Sequence, residues 1–125
     1  MKSVARGRGI SIVDDDPSMR AALMNLLTSA GHQVRTFVSA EDFLGSDHLH
    51  ATGCLLLDLR MPGMSGLELQ ERLAATQARI PIIFLTAHGN EDARARALRA
   101  GAIAFFGKPF NEDVLLSAVT AALSD

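Results

Sequence analysis

Four stretches of this 125-residue chain carry side chains suited to chemistry. Asp14-Asp15-Asp16 follows a short apolar run, and Asp58 closes Leu55-Leu56-Leu57. Thr86 closes Ile82-Ile83-Phe84-Leu85, and Lys108 stands before Pro109-Phe110. Brought together, Asp14, Asp15 and Asp58 would repel one another unless a cation sat among them. All-oxygen donors with room for water suit Mg2+, which takes only one or two carboxylates and keeps several waters. A hydroxyl and an ammonium facing that metal are donors for an anion. Metal, Thr86 and Lys108 would then clamp a phosphoryl group and neutralise its developing charge. Asp58, in the middle, could attack phosphorus and become an acyl phosphate. Loop N–H groups can add further anion contacts.

The elements needed to bring these residues together are legible in the pattern. Gly9 to Val13 reads as a β-branched first strand ending in the acidic cluster. Asp16-Pro17 reads as a helix start, Asp as the cap and Pro at the first helical position. Met19, Leu23, Leu26, Leu27 and Ala30 give that helix one apolar face, and Gly31 stops it. Gln33 to Val38 reads as strand two, with Val34, Thr36 and Val38 on one side. Ser39 with Asp42 resembles a capping box and opens a short helix, Ala40 to Leu44. After a polar loop, Gly53 to Leu57 is strand three, and Pro62 and Gly63 mark the loop behind it. Ser65 with Glu68 is a further capping box, opening a helix to about Ala75. Ile80 to Thr86 is strand four, with Pro81 tolerated near its start. Glu91 to Ala100 is a helix with acids first and bases last, ended by Gly101. Ala102 to Phe106 is strand five. Asn111 caps a last helix whose inner face is Val114, Leu115, Ala118, Val119 and Ala122.

Five strands alternating with five helices predict an α/β domain, a parallel sheet covered on both faces. Right-handed crossovers make a flavodoxin-like order 2-1-3-4-5 the natural expectation, though periodicity alone does not fix it. In that order strands one, three, four and five are neighbours. Their carboxyl ends would gather the acids, Thr86 and Lys108 in one shallow cleft, the edge where open α/β sheets bind ligands.

Composition bounds the function classes. At 13.3 kDa, with 48% hydrophobic and 21% charged residues, the chain fits one domain with a true core. A formal net charge of −2 offers nucleic acid no electrostatic footprint. Lys2, Arg6 and Arg8 are basic, but no signal-peptide apolar segment follows them, and no run is long enough to span a membrane. A single cysteine, Cys54, rules out an internal disulfide and fits a reducing compartment. The expectation is a cytoplasmic domain.

The quoted residues carry a resemblance. Val13-Asp14-Asp15-Asp16, the loop Leu57-Asp58-Leu59-Arg60-Met61-Pro62-Gly63-Met64-Ser65-Gly66, Leu85-Thr86-Ala87 and Lys108-Pro109-Phe110 resemble receiver domains of two-component response regulators. The likeness is to the FixJ-like and CheY-like members and covers residues 1–125 as one domain. It implies that Asp58 is the phosphoacceptor, taking phosphoryl from a histidine kinase phosphohistidine with Mg2+. It implies that Asp15 ligates the metal directly, Asp14 mainly through water, and Asp58 and the Arg60 backbone carbonyl complete the protein ligands. Thr86 would be the switch hydroxyl and Phe105 the aromatic that moves with it. Lys108 would bind phosphoryl oxygens, with a cis bond to Pro109. Arg60 and His88 would occupy loop positions that tune dephosphorylation. Such a domain catalyses only its own phosphorylation and dephosphorylation. It signals to an output domain, often a transcription-regulating one, to a target protein, or through a phosphorylation-dependent homodimer. It touches neither membrane nor nucleic acid itself.

Blander readings stand beside these. Asp16 reads as a helix cap rather than a ligand. His48 and His50 with Cys54 could suggest a metal site, but the histidines fall in a polar loop and Cys54 in a strand. Arg94, Arg96 and Arg99 read as a solvated helix face, or more sharply as part of a partner surface on the fourth helix, fifth strand and fifth helix. The methionines read as packing. A competing class is a Mg2+-dependent phosphatase or phosphotransferase resembling the haloacid dehalogenases, again with Asp58 as nucleophile. Those enzymes place a second Asp two residues later, and here that residue is Arg60. A flavin binder would need a Gly-rich phosphate loop after strand one, where this chain has carboxylates.

Overall fold

A computed structural model describes residues 8–124, so Lys2 and Arg6 lie outside it. Five strands, β1 (Gly9–Val13), β2 (Val34–Phe37), β3 (Thr52–Leu57), β4 (Ile82–Thr86) and β5 (Ala104–Gly107), alternate with five helices. The helices are α1 (Pro17–Ser29), α2 (Ala40–Leu44), α3 (Gly66–Ala75), α4 (Glu91–Arg99) and α5 (Glu112–Leu123). All strand pairs are parallel and the order is β2-β1-β3-β4-β5, the flavodoxin-like arrangement expected.

Side-chain alternation along the strands divides the interior in two. Val13, Leu55, Leu57, Ile82 and Phe84 face Phe43, Leu69, Leu73 and Ala97, so α2, α3 and α4 cover one side. Ile10, Ile12, Cys54, Leu56, Ile83 and Leu85 face Leu23, Leu27, Leu115 and Val119, so α1 and α5 cover the other. Strands buried on both faces explain why β3 and β4 are runs of apolar residues rather than alternations.

The helix starts follow their caps. Asp16 accepts from the N–H groups of Ser18 and Met19, and Pro17 opens α1. Ser65 and Glu68 form a complete capping box on α3. Ser39 accepts from Asp42 N–H at 3.0 Å at the head of α2.

Several boundaries differ from the pattern. Strand β2 stops at Phe37, and Val38 is 49% exposed beyond it rather than on an inner face. Strand β3 begins one residue early, at Thr52, whose hydroxyl meets that of Ser11 at 2.7 Å. Strand β4 begins at Ile82, because Pro81 has no N–H to pair. Strand β5 begins at Ala104, not Ala102. Gly101 (φ 109°) turns the chain out of α4, and Ala102 N–H still bonds back to Ala97 O, so Ala102 belongs to the helix end. Gly107 is the last residue of β5, and Lys108 follows the strand directly. On α5 the buried positions are Leu115 and Val119, while Val114 is 50% exposed in the first turn. Ala30 is an exposed helix end rather than part of the α1 face.

Candidate functional site

The sheet order brings the carboxyl ends of β1, β3, β4 and β5 side by side. Asp14, one residue past β1, is 2% exposed, and Asp58, one residue past β3, is 6% exposed. Thr86, the last residue of β4, is buried as well. The three carboxylates of Asp14, Asp15 and Asp58 each offer an oxygen within 4.8 Å of the others.

Each acid is held differently. Asp14 is pinned on every side. One carboxylate oxygen accepts from Asp16 N–H at 2.9 Å and the other from Lys108 Nζ at 2.9 Å. Its backbone carbonyl accepts from Arg20 Nη1 at 2.8 Å. Asp15 is exposed, and among the described residues its carboxylate has no hydrogen-bond partner. Asp58 N–H pairs with Val13 O at 3.0 Å, and its own carboxylate accepts from Leu59 N–H at 2.8 Å. Gly66 passes so close to Asp58 that an added Cβ would collide with the Asp58 carbonyl oxygen, so only glycine fits there.

Burial first, and repulsion from Asp14 second, push the Asp58 carboxyl above its ordinary range. The Lys108 ammonium, the Thr86 hydroxyl and the Leu59 N–H pull it back in part. One ammonium thus serves three clustered carboxylates, and it sits on Asp14. A small hard cation fits what remains: the donors are all oxygen, Asp15 is open to water, and both Asp14 oxygens are already engaged, which suits contact through water.

The other expected residues are close by. Lys108 N–H donates to Thr86 O at 3.0 Å, and the Lys108–Pro109 bond is cis. The Thr86 hydroxyl accepts from His88 N–H at 3.0 Å. Phe105 is half-buried, its ring 5.7 Å from that of Phe84. Gly89 lies against both: an added Cβ would stand 2.7 Å from the Phe105 ring and 3.2 Å from the Thr86 methyl. Arg60 and His88 are exposed at the rim. Cys54 is fully buried in β3, away from His48 and His50, and the only such acid, His or Cys cluster among the described residues is the aspartate one. A polar cleft of about 370 Å³ opens at the opposite edge of the sheet, lined by Thr28, His32, Arg35 and His48. It holds no carboxylate, so the chemistry lies at the aspartate edge.

Three polar residues here were not singled out in the sequence. Arg20 follows Asp16 by four residues on α1, and helical side chains lean toward the N-terminus, a spacing that could have flagged it. Gln70 is 4% exposed and donates from Nε2 to Ala97 O at 3.0 Å. Glu41 accepts from Met64 N–H at 2.9 Å across 23 residues of sequence, and no local spacing signals that.

Comparison with known proteins agrees with this geometry. The response regulator receiver domain family matches residues 10–120. The response regulator protein TmoT of Ectopseudomonas mendocina is 49% identical over 114 residues, 91% of this chain and 52% of TmoT. A structure of the response regulator StyR superposes with a TM-score of 0.84 at 53% identity, covering 91% of this chain and 58% of that one. The FixJ-N crystal structure gives a TM-score of 0.84 at 38% identity, covering 93% of both chains. The chain spans about half the length of the curated relatives it matches. No helix among the described residues is long and apolar enough to cross a membrane. Receiver domains generally bind Mg2+ at a cluster of acidic residues, and Asp14, Asp15 and Asp58 form such a cluster here. Family, fold and strand order therefore converge: this chain belongs to the receiver domains of two-component response regulators.

Proposed function

We propose that Asp58 is the phosphoacceptor of a signalling switch and that residues 1–125 form one receiver domain. The observation that carries this reading is the approach of three aspartate oxygens to within 4.8 Å of one another. Lys108 lies at 2.9 Å from Asp14 within the same group. An Asp58 oxygen attacks phosphorus, the bond from phosphorus to a histidine kinase imidazole breaks, and that nitrogen keeps the electron pair and gains a proton. Asp58 is left as an acyl phosphate, which water later cleaves to carboxylate and inorganic phosphate. Asp15, Asp58 and the Arg60 carbonyl would hold Mg2+, with Asp14 mainly through water, and the bound metal would supply charge neutralisation for the phosphoryl oxygens. Lys108 shifts its ammonium from Asp14 toward the new phosphoryl oxygens. The Thr86 hydroxyl donates to one of them, and Phe105, touching the same loop, follows. The surface of α4, β5 and α5 then changes shape for a reader: an output domain, a target protein or a second copy of the domain. The setting is cytoplasmic, and the domain itself contacts no nucleic acid. Arg60 at the second position after Asp58 supplies no acid or base, which argues against a turnover phosphatase.

The deciding experiment adds Mg2+ with acetyl phosphate or beryllium fluoride and follows mass, oligomeric state and amide shifts. With acetyl phosphate wild type gains one phosphoryl group and Asp58→Asn gains none. Asp58→Asn also melts at a higher temperature than wild type without metal, because a repelled, buried charge is gone. An unmodified wild-type mass, with amide shifts indifferent to Mg2+, sinks the reading. Lys108→Ala still accepts phosphoryl but loses the shift changes in β5 and α4.

A further inference from the structure

The loop from Asp58 to Ser65 is tied at both ends and at its tip. At its base, Gly66 N–H donates to Leu59 O at 2.9 Å, and Met61 is 9% exposed and packs into the core. At its tip the backbone turns through Gly63 at φ 79°. The next N–H, of Met64, donates at 2.9 Å to the Glu41 carboxylate, which comes from α2, on the far side of the loop in sequence. The contact is close: a Cβ on Gly63 would stand 2.7 Å from Glu41 Oε2. The Met64 N–H, more than any other group, holds the Glu41 carboxyl below its usual range.

We propose that Glu41 is a positioning residue for phosphoryl chemistry: its bond to Met64 fixes the tip of the loop that carries Asp58 and the Arg60 carbonyl. The inference rests on the roles given to those two groups above. Helix α2 contributes no group to the cleft itself. Its first turn is set by Ser39 capping at Asp42, so Glu41 is aimed across at the loop rather than left free. Loosening the tip frees the chain between Leu59 and Gly66, and with it the carbonyl at residue 60. Groups that orient metal ligands through one hydrogen bond change metal affinity by about 10- to 100-fold. Glu41 acts through several backbone bonds, so about a three- to tenfold effect is expected.

A competing role is purely structural. Met64 lies just before the Ser65 cap, and a carboxylate there also favours the helix dipole of α3. The test separates the two. Amide shifts of the whole chain are titrated with Mg2+ alone for wild type, Glu41→Gln, Glu41→Asp and Glu41→Ala. Initial rates with acetyl phosphate are taken at limiting and saturating Mg2+, and melting temperatures without metal. Gln keeps the reach and the acceptor oxygen, so it stays within about twofold of wild type. Asp keeps the charge but not the reach, and with Ala it weakens Mg2+ by about three- to tenfold. The rate loss of both shrinks at saturating Mg2+. Ala and Asp variants that bind Mg2+ like wild type, whatever their melting temperatures, overturn the proposal and leave Glu41 a helix cap. A Gln variant as weak as Ala overturns it too, since charge rather than the bond to Met64 would then be at work. A wild type indifferent to Mg2+ would instead remove the functional reading itself, before any variant is compared.

Discussion

Strand β3 and helix α4 pack into the same core cluster and are held by different forces. All six residues of β3 are buried, and Leu55, Leu56 and Leu57 divide between the two cores. Each is worth roughly 1.5–3 kcal/mol of burial. Helix α4 buries only Ala97. Polar ties do more of its holding: Gln70 donates to Ala97 O, and Arg96 pairs with Glu71 at 3.0 Å on the surface. Its neighbour β5 is an edge strand with no fully buried residue. The Asp58 carboxylate is thus rooted in the least yielding part of the molecule. Thr86 and Phe105 stand where that part meets the most yielding one. A two-state element needs such a border, since packed apolar cores resist small displacements.

The contrast can be broken or sharpened by substitution. Leu56→Ala is expected to cost about 3 kcal/mol in urea unfolding, while Leu98→Ala, in the half-buried row of α4, costs clearly less. Equal losses would erase the distinction. Gly89→Ala is next, at about 2 kcal/mol, because the new methyl must displace the Phe105 ring or the loop. Ring shifts of Phe105 in the unphosphorylated protein are the measurement, and an unmoved ring would mean the loop yields instead. Third is a pH effect confined to β3. Burial raises the Cys54 thiol from 9.0 to about 12. The unfolded chain therefore loses that proton first, and stability falls as pH rises from about 9 toward 12, by up to about 1.4 kcal/mol per pH unit. Cys54→Ala should remove that slope, and a slope left unchanged would assign it to other groups. Gln70→Ala is expected to cost about 1 kcal/mol and to speed amide exchange in α4 but not in β3. Arg96→Ala, breaking an exposed ion pair, should stay below about 0.5 kcal/mol.

Strands and acids were legible in the sequence for a shared reason. Parallel strands buried on both faces must be apolar runs, so the polar residues that close them, Asp14, Asp58 and Thr86, stand out. Helix caps were legible because Asp16, Ser65 and Glu68 act within three residues of themselves. Strand β5 was misjudged by two residues because Ala102 and Ile103 are apolar, yet Ala102 still closes the end of α4 and Ile103, whose N–H reaches Ile82 O, only leads into the strand. The inner face of α5 was drawn too wide, since Val114 lies in the turn beside its Asn111 cap and faces outward. Glu41 and Gln70 went unnoticed because their backbone partners lie 23 and 27 residues away, unlike those of the caps. A distant backbone carbonyl or N–H has no letter and no fixed spacing in the sequence; Arg20, six residues from its partner, was the one of the three that spacing could reach.

The pair between Lys108 and Asp14 joins residues 94 apart. Contacts of such separation close late in folding, because the intervening chain must be ordered first. Strand β5 is the last laid down and takes the edge position beside β4. A chain still emerging from the ribosome has its aspartates long before it has its lysine. The cleft with its ion pair therefore comes into being only once nearly the whole sheet is built. Until then the half-made domain has three clustered carboxylates and no ammonium among them to offset their repulsion.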